Sequence, residues 1–186
     1  MSKKVLGSIP MLMAAALIVA APALADVASP KDLQTFNDVS KSVNRYAQFT
    51  IFDDVAIGVK DGVVTLTGKV TMPYKRDDIV KRVAKVDGVQ QVRDQITVLP
   101  ASLWDDELRY RIARSIYGNP SFWNYGLGSN PSIHVIVDHG HVTLTGVVNS
   151  ESDRMMANVI ARGFNAFSVT NSLKTEAEMR DELEKL

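Results

Sequence analysis

The chain has 186 residues, with 21 basic and 21 acidic side chains, three histidines and no cysteine. The missing cysteines exclude disulfides and thiol catalysis, and the balanced charge excludes a partner selected by bulk electrostatics, nucleic acid included. Lys3 and Lys4 precede an apolar run from Met11 to Ala21, closed by Pro22 and the small-residue pattern Ala23-Leu24-Ala25. This predicts a secretory signal peptide over residues 1–25, cut after Ala25. The run is shorter than the ~20 residues of a spanning helix, so no membrane-spanning segment is expected after cleavage. No cysteine follows the cut, which excludes a lipoprotein-type anchor, and loss of the two lysines leaves 19 basic against 21 acidic side chains, a net charge near −2.

Ser29-Pro30 predicts the start of a helix in which Phe36, Val39, Val43 and Tyr46 recur at helical spacing. A hairpin follows over Val55–Gly68. Asp61-Gly62 is its type I′ turn, since glycine tolerates positive φ and that turn twists as the strands do. Pairing outward from the turn sets Val59 against Val64, Ile57 against Leu66 and Val55 against Gly68 on one apolar face. Thr71 and Pro73 open a second helix with Ile79, Val80, Val83 and Val86 inward, and Val92, Ile96 and Val98 alternate as a third strand. Pro100 ends that strand, and residues 101–103 are a linker too short for free domain motion, so the units flanking it are expected to touch.

Ser102 then starts a helix with Trp104, Leu108, Ile112 and Ile116 as its stripe. His139-Gly140 is the turn of a second hairpin, pairing Val137 with Val142, Val135 with Leu144 and Ile133 with Gly146. Asn149-Ser150 caps a further helix, with Met156, Val159 and Ile160 inward and Gly163 at its end. Phe167, Val169 and Leu173 are assigned to the final strand, and Thr175 with Glu178 forms a capping box ahead of an amphipathic tail over 175–186.

Seven of ten positions match without a gap between Asp61–Val70 and His139–Val148, whose turn glycines stand 78 residues apart. A repeat at fixed offset marks a duplicated unit. The predicted class is α+β, with two tandem α-β-β-α-β units over residues 29–99 and 102–174. Each is a three-stranded sheet with two helices on one face. Thr65, Thr67, Thr143 and Thr145, with Ile136, fall on the other face. It is expected to be solvated, the alternative being a pairing with the other copy or a client chain.

Nothing in the sequence assembles catalytic chemistry. His139 and His141 flank a turn glycine beside Asp138, but successive strand side chains face opposite ways, so neither a metal nor any other cofactor is expected. No histidine has a visible nucleophile or orienting acid. Asp53-Asp54, Asp77-Asp78 and Asp105-Asp106 sit at strand or helix starts, where solvation or the helix dipole accounts for them. Two surfaces are candidates for binding. Lys75, Arg76, Lys81, Arg82 and Lys85 form the densest basic run, suited to anionic headgroups. The loop Tyr117–Pro131 concentrates Phe122, Trp123, Tyr125 and Leu127, suited to lipid or a client chain; Phe49 and Phe52 hold the matching place in the first unit, and the competing reading folds the loop onto its own core.

Gly62-x-Val64-x-Leu66-x-Gly68 and Gly140-x-Val142-x-Leu144-x-Gly146, each followed by a helix and a strand, resemble the BON domain. The resemblance runs over roughly Leu33–Leu99 and Leu103–Thr175. The family's later Gly-Val-x-x-Val stands as Gly88-Val89-Gln90-Gln91-Val92, whereas the second copy departs from it with Ala166-Phe167-Ser168-Val169. What the resemblance implies is non-enzymatic work in the periplasm under osmotic or envelope stress. The expected function is a chaperone-like interaction module for envelope proteins, with a peripheral phospholipid-binding module as the alternative.

Overall fold

The computed structural model describes residues 29–127 and 131–183; the signal-peptide segment lies outside them. The first unit runs α1 (Pro30–Asn44), β1 (Asp54–Lys60), β2 (Val63–Val70), α2 (Pro73–Val83) and β3 (Gln91–Val98). The Ser29 hydroxyl accepts the Asp32 N–H to cap α1, and Asp61 (φ 50°) and Gly62 (φ 74°) are both left-handed, as a type I′ turn requires. The strands are ordered β1-β2-β3, an antiparallel hairpin joined by the α2 crossover to a parallel third strand. Every hairpin pair expected from the turn is present. Val39, Val43, Val64, Leu66, Ile79 and Val83 are fully or nearly fully buried between α1, α2 and one face of the sheet.

The second unit repeats the order with α3 (Leu103–Tyr117), a 3-10 helix (Pro120–Gly126), β4 (Ile133–Asp138), β5 (His141–Val148), α4 (Glu151–Arg162) and β6 (Ser168–Asn171). The register of its hairpin is again the expected one. Its last strand is split. β7 (Lys174–Thr175) pairs with β5 beyond Ser172 and Leu173, yet His141↔Ser168 and Val147↔Lys174 keep one register, so the two pieces are collinear. Phe167 precedes this strand and is exposed rather than part of it. The departure from the glycine motif leaves the pairing unchanged: Phe167 N–H donates to the Gly140 carbonyl as Gln90 N–H does to that of Gly62. The capping box forms reciprocally between Thr175 and Glu178 and opens α5 (Glu176–Leu183).

Gly68 (φ 127°) and Gly146 (φ 111°) answer to the neighbouring strand, not to a helix. A Cβ there would lie 2.1 Å from the Asp54 carbonyl oxygen and 1.9 Å from that of Ser132. No side chain fits at either position.

The faces expected to be solvated in part meet each other. Ile136 is only 4% exposed and belongs to neither core. Around it Lys69 reaches Asp138 at 2.5 Å, His134 Nδ1 lies 2.6 Å from the Asp53 carbonyl oxygen, and Val135 N–H donates to the Ile51 carbonyl at 2.7 Å. Phe52 packs edge-on against Tyr110. The segment before β1 thus covers the edge of β4, an edge that would otherwise offer unpaired backbone groups to another chain.

Candidate interaction surface

Three of the residues expected to meet a partner are held inside. Lys75 opens the inward face of α2 and its side chain is 5% exposed, with Nζ 2.6 Å from Asp53 Oδ2 and 2.8 Å from Thr71 Oγ1. Asp53, expected to be solvated, is completely buried and also accepts N–H and hydroxyl bonds from Thr50 and Thr71 at 2.7 to 2.8 Å. Burial raises its pKa, and the Lys75 ammonium with the threonine donors outweighs that, holding the carboxyl below its ordinary value. Thr71 is consumed here, so Met72 stands at the N-cap of α2 with no side-chain bond.

Phe122 is fully buried in the second core, and Tyr125 lies at its margin with its hydroxyl bonded to Asp153 at 2.7 Å and to the Asn149 N–H at 2.8 Å. In the repeat, Asn149 stands where Thr71 does and Asp153 where Lys75 does. The second unit therefore satisfies the same helix-opening amide with a tyrosine hydroxyl where the first uses a carboxylate. That is why the loop is folded onto its own core. Trp123, 59% exposed, and Leu127 remain outside.

Asp105 is likewise no mere dipole partner. It accepts the N–H groups of His139 and Gly140 at 3.0 and 2.8 Å, as Asp32 accepts those of Asp61 and Gly62 at 3.1 and 3.0 Å. Each helix start thus clamps its own hairpin turn, a device visible beforehand only as the shared Ser-x-x-Asp of Ser29–Asp32 and Ser102–Asp105.

On the outer face of α2, Arg76 pairs with Asp94 at 3.0 Å and Arg82 stacks 5.1 Å over the Tyr46 ring. Lys81 and Lys85 are exposed without a partner among the described residues. The corresponding face of α4 differs in kind. Its buried positions Ala157 and Ala161 match Ile79 and Val83, but Met155, Met156 and Val159, expected inward in the last two cases, are exposed where α2 carries Asp77, Asp78 and Lys81. Both helices keep the same phase, so the positions that α2 gives to charged side chains are outward in α4 as well, whatever residues occupy them. Trp104, also expected inward, is half-exposed at the rim of a shallow recess with Glu107, Leu108, Arg111 and Asn165. The Tyr125–Asp153 bond ties the loop carrying Trp123 to the first turn of α4.

The histidines do not converge: His139 Nδ1 is bonded to Asp138 and His141 Nδ1 to Ser168. Among the described residues no group of three metal-ligating side chains forms, and no helix is long and apolar enough to cross a membrane.

The BON domain family matches residues 38–100 and 105–177, and the chain belongs to that family as a tandem pair of BON domains. The family is one of non-catalytic binding domains associated with the envelope. No curated protein matches the chain in sequence. Among solved structures it is similar to CdsD, a structural protein of the type III secretion system of Chlamydia trachomatis, at 13% identity over 79% of this chain and 97% of that one, with a TM-score of 0.27. The C-terminal domain of CdsD gives 12% identity over 74% and 94% with the same TM-score, and so weak a likeness carries no argument.

Proposed function

We propose that this chain is a non-catalytic periplasmic interaction protein that shelters apolar segments of envelope proteins. Its contact surface is Met155, Met156 and Val159 on α4, with exposed Trp123 and Leu127 on the loop that Tyr125 ties to the start of that helix. One observation carries the reading: the two repeats bury the same helix positions, yet the outer positions are charged in α2 and apolar in α4. The fold does not need apolar side chains there, since the first unit does without them. Clustered exposed apolar residues mark binding surfaces, and methionine reshapes itself to varied partners. The periplasmic location rests on the signal-peptide pattern over residues 1–25.

The test is suppression of aggregation of an unfolded outer-membrane protein. Replacing Met155, Met156 and Val159 with Ser, together with Trp123→Ser, is expected to abolish suppression with the melting temperature unchanged. A phospholipid-surface role is the second reading, favoured by the unpartnered Lys81 and Lys85, at about 1 kcal/mol per cation near an anionic surface. It requires flotation with anionic liposomes that Lys81→Glu with Lys85→Glu removes; suppression surviving the α4 changes alongside such flotation decides for lipid.

A further inference from the structure

The two hairpins share a register, but their outer edges are finished differently. Each turn closes on a hydrogen-bonded pair. The alternation of an antiparallel ladder then leaves Val55, Ile57 and Val59 of β1, and Ile133, Val135 and Val137 of β4, with their N–H and C=O groups turned away from the partner strand. On β4 the chain covers its own edge. The Tyr117 hydroxyl bonds both backbone groups of Ile133, the Ile51 carbonyl takes the Val135 N–H, and Arg109 donates to the Val137 carbonyl. Those three β4 side chains are completely buried. Among the described residues nothing bonds the outward backbone groups of Val55, Ile57 and Val59, whose side chains are only partly buried. The centre of β1 also lacks the features that blunt an edge: Ala56 and Gly58 are small and exposed, and no proline or bulge interrupts the strand.

The residues of this edge complement themselves. When β1 is laid antiparallel on a second β1 about a two-fold axis through Ile57, Asp54 falls opposite the second copy's Lys60 and Lys60 opposite its Asp54. Val55 then faces Val59, and Ala56 faces Gly58. The pairs in hydrogen-bonding positions are Ile57 with Ile57 and Val55 with Val59, the residues whose backbone groups are open. Opposite charges directly across two strands stabilise their pairing. We propose that β1 is a dimerisation edge, at which two copies of this chain join their three-stranded sheets into one continuous sheet through an isologous contact centred on Ile57. The contact is short, seven residues a side, so association depends on concentration.

Sedimentation equilibrium of the full chain from about 1 μM to about 1 mM is expected to show monomers passing to dimers. Ile57→Pro removes the central edge N–H and should hold the chain monomeric throughout. The register is read by cross-linking, since the chain has no cysteine of its own. Ala56→Cys and Gly58→Cys place thiols at exposed positions, and a Cβ on Gly58 meets nothing within 4 Å. Under mild oxidation by diamide, a mixture of the two variants should link several-fold more than either variant alone, because only the mixture sets the thiols directly opposite. Should Ile57→Pro fail to fold, the mixture decides alone. Replacing Met155, Met156 and Val159 with Ser should leave the dimer intact, so this proposal and the α4 contact surface stand or fall separately. A chain monomeric at every concentration, a dimer that survives Ile57→Pro, or linking no greater in the mixture overturns the proposal. So does hydrogen exchange at the Ile57 amide that slows only when an unfolded outer-membrane protein is added, a result that gives the edge to a client chain.

Discussion

Lys75 and Lys81 look alike in the sequence, both in one basic run, and the fold gives them opposite fates. Six residues is about 1.7 helical turns, which sets the two about 120° apart around the helix: Lys75 lies at the start of the inward stripe continued by Ile79 and Val83, and Lys81 faces out. Removing Lys75 leaves the buried Asp53 carboxylate without its cation, a change that costs ~3 to 5 kcal/mol. Lys75→Met is therefore expected to lower the melting temperature of the first unit sharply. Lys81→Met should stay within ~0.5 kcal/mol of the unmodified protein. Denaturant unfolding of the two variants checks this. The pair is also acid-sensitive: the depressed pKa of Asp53 contributes stability above the ordinary carboxylate range, lost as pH falls through the folded value.

The loop between α3 and β4 divides within a few residues into core and surface. Phe122 is completely buried beside Ile116 and Ile133 in the second core, while the next residue, Trp123, is largely exposed. A 3-10 helix has three residues per turn, so Phe122 and Tyr125 share one face and Trp123 does not. Phe122→Ala is expected to cost ~3 to 5 kcal/mol. Trp123→Ser should leave stability within ~0.5 kcal/mol. Thermal unfolding of both variants separates the element's structural half from its exposed half. The apolar richness of this loop was plain from the sequence, but not its partition, which depends on Tyr125 reaching Asp153 and Asn149 28 and 24 residues away.

For the whole molecule, the consequence of the docked sheets is coupling. The joint combines buried Ile136, the Lys69–Asp138 pair and the Val135–Ile51 backbone bond, on top of a connection of only a few residues between β3 and α3. The partly exposed ion pair contributes little by itself, so the apolar contact and the satisfied strand edge carry the coupling. The unmodified chain is expected to unfold in one calorimetric transition. Ile136→Asp places a charge in the joint while touching neither core, and should split that transition in two; a single transition in the variant would show that Ile136 does not couple the units.

The repeat, the α+β order, both hairpin registers and the family were determined by sequence alone, because type I′ turns and period-two alternation are local rules that fix which residues pair and which face they take. The fates of Asp53, Lys75, Trp104, Tyr125, Ile136, Met156 and Val159 were decided only by tertiary structure. Each depends on how its element packs against the rest of the fold. Asp53 is buried because Lys75 and Thr71 reach it, Ile136 because the other unit covers it, and the α4 methionines turn outward because Ala157 and Ala161 take the inner face. Hydrophobicity read along a helix says that a stripe will be buried, while the phase in which the helix docks on the sheet, the same in both repeats, says which stripe it is.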